Sequence, residues 1–158
     1  MNNDSQNILP KYLPTYLTKK DYTTQKRAIE KTRKLYRKGI FIDRPKLKSF
    51  HTRKSNHIQR AKRIYNVDTI KPSMELAKAS KCSLRALQEI VKKGRGAYYS
   101  SGSRPNQTAD SWANARLASA LTNGKASIVD YSILKKGCKK TSRVLRNIAK
   151  NNHSRKHI

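Results

Sequence analysis

Acidic residues are what this sequence lacks most. Nine Asp and Glu stand against 37 Lys and Arg in 158 residues, a formal net charge of +28 and a sequence pI of about 10.6. General acid–base chemistry with paired carboxylates needs two acids converging in one pocket, and so few acids leave little for that role. Apolar residues are scarce as well, at 35% of the chain with a mean hydropathy of -0.88. A large self-sufficient core is therefore not expected, and self-repulsion works against compaction unless a polyanion or acidic partner offsets it. No run approaches the roughly 18 apolar residues of a spanning helix, so no transmembrane insertion is expected. Met1 to Lys20 also lacks the charged-then-apolar order of a secretory signal. The two cysteines, Cys82 and Cys138, are far apart and match no CxxC or Cys/His ligand spacing. Free thiols in a reducing compartment are expected, with no metal and no cofactor.

Charge is spread unevenly. Residues 1–70 hold 18 Lys and Arg and 5 acids, a net of +13, whereas residues 96–134 net only +1. The near-neutral stretch is the natural candidate for a packed unit. Asp21, Glu75, Asp110 and Asp130 each follow a Ser or Thr by two or three residues, where a carboxylate favours the positive end of a helix dipole and can cap free amides.

The apolar spacing predicts a mainly α protein, a small helical domain of short helices with extended basic arms. Pro10 and Pro14 bar a continuous helix over residues 1–17, which read as an extended arm anchored by isolated apolar residues. Thr18 and Asp21 open a helix that Gly39 ends. Its apolar stripe, Tyr22, Ala28, Ile29, Leu35 and Tyr36, is thin, and Lys26, Arg27, Arg33, Lys34, Arg37 and Lys38 cover the rest. That cationic face is either solvated or pressed on phosphate or an acidic protein. Ser55 caps a second helix with Ile58, Ala61, Ile64 and Tyr65 on one side and Arg60 and Arg63 on the others. Residues 18–70 are thus read as a basic helical arm. Residues 71–150 form the central domain, with helices opened by Ser73 and Ser83, the latter ending at Gly94, and further helices at 109–122, 128–136 and 142–150. Residues 151–158 read as a basic tail.

Two segments invite a functional reading. Met74 to Gly94 has helix-turn-helix spacing, with Leu76 and Ala77 before the turn and Leu87 and Ile90 after it. Arg85 and Gln88 would then lie near the start of the second helix, within reach of phosphate or base edges. Lys81 stands where such turns favour Gly, and any two short packed helices share this spacing. The second segment, Lys92 to Thr108, combines Gly94, Gly96 and Gly102 with Tyr98, Tyr99, three serines and Arg104. Such a loop suits an anion held by amides, hydroxyls and Arg, or a plain loop packed on the next helix, where Trp112, Leu117 and Leu121 offer an apolar face. The order GxxxxGK[ST] is absent. His51, His57, His153 and His157 make no informative spacing with either cysteine, and no GxSxG or HExxH occurs, so an enzyme is not expected. The candidate polyanion-binding set is Lys26, Arg27, Arg33, Lys34, Arg37, Lys38, Arg60, Arg63, Arg85, Gln88, Lys92, Lys93, Arg95 and Arg104.

The segment GRGAYYSSGSRPNQTADSWANARLASALTNGKASIVDYSIL with the following KKGC, together with the upstream YLTKKDYTTQKRAIEKTRKLYRKGIF, resembles a family of small basic proteins of unknown function. That family is associated with large icosahedral double-stranded DNA viruses of the chlorella-virus, marseillevirus and mimivirus kind, with looser phage relatives. The resemblance implies a viral setting, the particle itself. With the near-neutral centre as a packed unit and the basic arms as electrostatic glue, the expected function is a minor capsid or internal virion protein, with other capsid proteins and double-stranded DNA as partners and no small-molecule substrate. Localisation would be the virion, and host cytoplasm or a viral factory during assembly. The alternative function is a nucleic-acid-binding protein that compacts or reads viral DNA. The resemblance carries over no catalytic residue.

Overall fold

The computed structural model describes residues 7–52 and 55–155. Among them the chain forms eight α-helices and no strand, as the spacing predicted. Two compact units emerge, each assembled from two stretches of chain: Met1–Lys54 with Arg95–Trp112, and Ser55–Gly94 with Ala113–Ile158. This replaces the expected division into an arm ending at residue 70 and a centre beginning at 71. The basic N-terminal segment has its own packing partner, residues 95–112, and residues 55–70 add Ala61, Tyr65, Val67 and Ile70 to the second unit's core. The tail likewise extends the last helix: α8 runs to Arg155, and of the tail residues 156–158 fall outside the described ones.

In the first unit, a 3-10 turn at Pro10–Tyr12 leads to α1, Lys19–Arg37. The extended arm is thereby corrected over its described part. Tyr12, Leu13 and Leu17 are buried, and Tyr12 meets the half-buried Trp112 edge-on at 5.8 Å. Thr18 caps α1 as the sequence predicted, its Oγ1 accepting from the Asp21 N–H at 3.2 Å. Asp21 in turn accepts from the Ser49 N–H at 2.9 Å and from its hydroxyl at 2.5 Å. These bonds hold its carboxyl below the usual aspartate range, the Ser49 hydroxyl first. The face of α1 turned inward is more polar than its apolar stripe suggested. Gln25, Ile29 and Thr32 are buried, whereas Tyr22 is exposed. Gln25 reaches inward because its amide donates to the carbonyls of Tyr12 and Ser103.

In the second unit, α2 (Asn56–Tyr65) and α3 (Met74–Ser80) precede the first part of α4, Leu84–Ser100. The unit continues with the later part of α5 (Ala109–Leu121), then α6 (Lys125–Val129), α7 (Tyr131–Gly137) and α8, Arg143–Arg155. Leu76, Leu87, Ile90, Leu117, Leu121, Leu134 and Val144 are fully buried in one apolar core. Contrary to the expected stop, α4 runs through Gly94. A Cβ there would lie 2.7 Å from the Ala113 Cα, so the glycine serves a close approach of α4 and α5 that offsets its helix cost of about 1 kcal/mol. The helix expected over 128–136 is instead two, broken at Asp130. That residue does not cap with its side chain. Its fully buried carboxylate takes a two-pronged ion pair from Arg116, with Nε at 2.8 Å and Nη2 at 2.7 Å. The Asp130 bond holds the Arg116 pKa above the ordinary arginine value. The structure also corrects the expectation of free thiols. Cys82 and Cys138, 56 residues apart, are joined in a disulfide with their Cα atoms 3.9 Å apart, because packing of α7 on the start of α4 brings together what sequence distance hid.

Candidate polyanion interface

The first unit commits several of its polar residues to itself. Arg44 is buried, its Nη1 donating to Thr32 Oγ1 at 3.0 Å and to the Tyr98 carbonyl at 2.8 Å, its Nη2 to Ser103 Oγ at 2.7 Å. Its guanidinium also lies 3.8 Å from the Tyr98 ring centroid. Burial lowers its pKa from the ordinary arginine value. Arg33 donates to the Ser101 carbonyl through Nε and Nη2, at 2.9 and 2.6 Å.

The glycine–tyrosine segment supplies partners to Arg33 and Arg44 within the first unit. Its first part is the end of α4, which places Tyr98 and Tyr99 on a helix. In the remaining loop, Ser101 and Ser103 serve Arg33 and Arg44. Gly102, at a φ of +133°, sits where a Cβ would lie 3.0 Å from the Tyr12 ring. Only glycine tolerates both conditions. Asn106 braces the loop through its amide, accepting from the Leu47 N–H at 2.6 Å and donating to the Leu47 carbonyl at 3.1 Å.

The structure distributes the sequence-predicted cations over both units. In the first, Lys26, Arg27, Lys34, Arg37, Lys38 and Arg104 are exposed, Arg33 is half-buried, and Arg95 pairs with Asp110 at 2.6 Å on the surface. In the second, Arg60, Arg63, Arg85, Gln88, Lys92 and Lys93 are exposed. Arg85, Gln88 and Lys92 follow one another at i, i+3 and i+7 on α4, opposite the buried Leu87, Ile90 and Val91. Eight of the fourteen positions thus belong to the first unit and six to the second.

The helix pair itself forms with the tight turn that the missing glycine put in question. Lys81 adopts the left-handed conformation, φ 59° and ψ 31°, as the cap of α3. An L side chain there costs about 1 kcal/mol. Local pairing offsets it: the Cys82 N–H donates to the Ala77 carbonyl at 3.2 Å, and the Lys81 carbonyl accepts from the Lys139 N–H at 2.9 Å. Ser83 opens α4, its hydroxyl accepting from the Ala86 N–H at 3.1 Å.

The same junction gathers, around Arg85, five lysines that sequence reasoning missed. The Ser83 N–H donates to the Gly137 carbonyl at 2.8 Å, and a Cβ on Gly137 would overlap the Ala86 methyl. Lys81 and Arg85 thus stand beside the chain that carries Lys135, Lys136, Lys139 and Lys140, all six side chains exposed. The KKGCKK run was the available signal; its partner across the fold was not legible. Among the described residues, no group of His, Cys, Asp and Glu could hold a metal, and no helix is long and apolar enough to cross a membrane.

Residues 10–148 match a family of unknown function, DUF5824. The chain belongs to this family. The DUF5824 match runs from the Pro10 turn into α8 and so draws on both units. No curated protein and no solved structure matches the chain.

Proposed function

We propose that this DUF5824 protein is a structural component of a virus particle, a minor capsid or internal protein that holds its surroundings together through cationic surfaces. The excess of charge carries the reading. Nine carboxylates cannot neutralise 37 cations, and Asp21 and Asp130 are already engaged by Ser49 and Arg116. The remaining attraction is available to a polyanion or an acidic partner. Two further observations support it. The Cys82–Cys138 disulfide fits a particle that meets oxidising surroundings better than a lasting cytosolic existence. Ile128 and Val129, 75% and 67% exposed, offer an apolar pair of the kind a protein contact covers. In this reading the protein binds other capsid proteins, and double-stranded DNA where it meets the genome. It is no enzyme, and it passes through host cytoplasm or a viral factory during assembly. Its test is its position in intact particles, by imaging the shell or stripping shell from core. A place beneath the capsid is expected; absence from particles would remove the reading.

A second reading, a protein that compacts or reads DNA, is favoured by the tight turn at Lys81 and the exposed Arg85 and Gln88 on α4. Recovery only with the genome would favour it. A preference of order 1000-fold for one sequence would make the helix pair a base reader.

A further inference from the structure

We propose that the disulfide-bridged junction between the α3–α4 turn and the end of α7 is the docking surface for the phosphate backbone of duplex DNA. The proposal deepens the polyanion reading above and rests on it. Two stretches of chain meet here through the Cys82–Cys138 bond and two flanking backbone hydrogen bonds, Ser83 N–H to Gly137 and Lys139 N–H to Lys81. The meeting sets Lys81 against Lys139 and leaves Arg85, Lys135, Lys136 and Lys140 within three residues of a bonded position, all six exposed. Among the described residues none of the six forms an ion pair. Like charges held together by a covalent staple repel one another, and an anion that spans several of them relieves that repulsion.

The chemistry of the surface favours phosphate over an acidic protein. Lysine is depleted in protein–protein interfaces, which centre on aromatic or aliphatic anchors, whereas nucleic-acid interfaces are polar and strongly positive. No exposed large hydrophobic residue of the described chain falls within 78–88 or 134–143. Lysine point charges fix position on the backbone and carry no base information, so the surface is expected to hold any duplex.

The full-length oxidised protein is titrated with a short mixed-sequence DNA duplex over a range of salt. One variant carries Lys81→Gln, Lys135→Gln, Lys136→Gln, Lys139→Gln and Lys140→Gln. A control carries Lys26→Gln, Arg27→Gln, Lys31→Gln, Lys34→Gln and Lys38→Gln, the same loss of charge from exposed positions along α1 and its cap. The junction variant is expected to lose about 0.9 of log–log salt slope for each phosphate contact removed, and to bind roughly tenfold more weakly than the control. Equal losses in the two variants would overturn the junction as the surface while leaving the polyanion reading in place. An unaltered protein whose binding ignores salt would overturn both. If the junction variant keeps its DNA affinity and instead loses binding to poly-L-glutamate, the partner is an acidic protein and the phosphate assignment falls.

Discussion

The two units of this chain are built on different physics. The second keeps an apolar core of Leu, Ile, Val and Ala, lets α4 approach α5 across Gly94 and Ala113, and adds a disulfide. The first buries Gln25, Thr32, Ser103 and a cation, Arg44, among tyrosines. Hydrophobic burial tolerates small shifts because it has no direction. A buried guanidinium does not, since each bond it loses leaves a desolvated donor or acceptor. A strongly cationic chain can therefore still fold, by building one unit around an apolar core with a buried Arg116–Asp130 pair and turning an arginine into the other's organising group.

The contrast can be broken most completely by truncation. A chain beginning at Lys71 loses Ala61, Tyr65, Val67 and Ile70 from the second core and every N-terminal residue that packs on 95–112. It is expected to lose its cooperative thermal transition in circular dichroism; a retained transition would show that residues 55–70 are dispensable. Replacing both cysteines by serine tests the second unit's staple. With the cysteines 56 positions apart in sequence, the loss should be about 4 kcal/mol in denaturant unfolding. Arg44→Met tests the polar unit: Thr32, Ser103 and the Tyr98 carbonyl lose their donor, a cost of about 3 kcal/mol, and a neutral outcome would show that the guanidinium organises nothing.

The smallest effect sharpens the comparison through pH. Burial pushes the Tyr65 phenol up to about 12, and its hydroxyl donates to the Leu121 carbonyl at 2.5 Å. An unfolded tyrosine ionises near pH 10, so the contribution of Tyr65 is complete below that pH. It is lost as pH rises toward 12, by roughly 2 kcal/mol. Tyr65→Phe should flatten this alkaline decline at a cost near neutrality of about 1 kcal/mol.

Helix existence was legible because caps are local. Thr18, Ser73 and Ser83 each bond the amide three residues on, and apolar spacing marked the core of α2, α3 and α4. What escaped was set by distant partners. Gln25 and Thr32 look like solvent-facing residues until the 101–103 loop and Arg44 are placed against them. Gly94 reads as a stop until Ala113 lies against it, and Asp130 reads as a cap until Arg116 claims it. The cysteines gave no hint of pairing at their separation. For the candidate site, the exposed cations of α1, α2 and α4 were visible as charge. The meeting of Lys81 with the KKGCKK run depends on the α7 contact, which no local pattern encodes.

The central claim is that unneutralised charge on the folded surface is what this protein uses. Its most direct test is the salt dependence of binding between the full-length protein and a mixed-sequence DNA duplex. A steep linear fall of log affinity with log salt, about 0.9 for each phosphate neutralised, is expected. A slope near zero at low salt would contradict the claim.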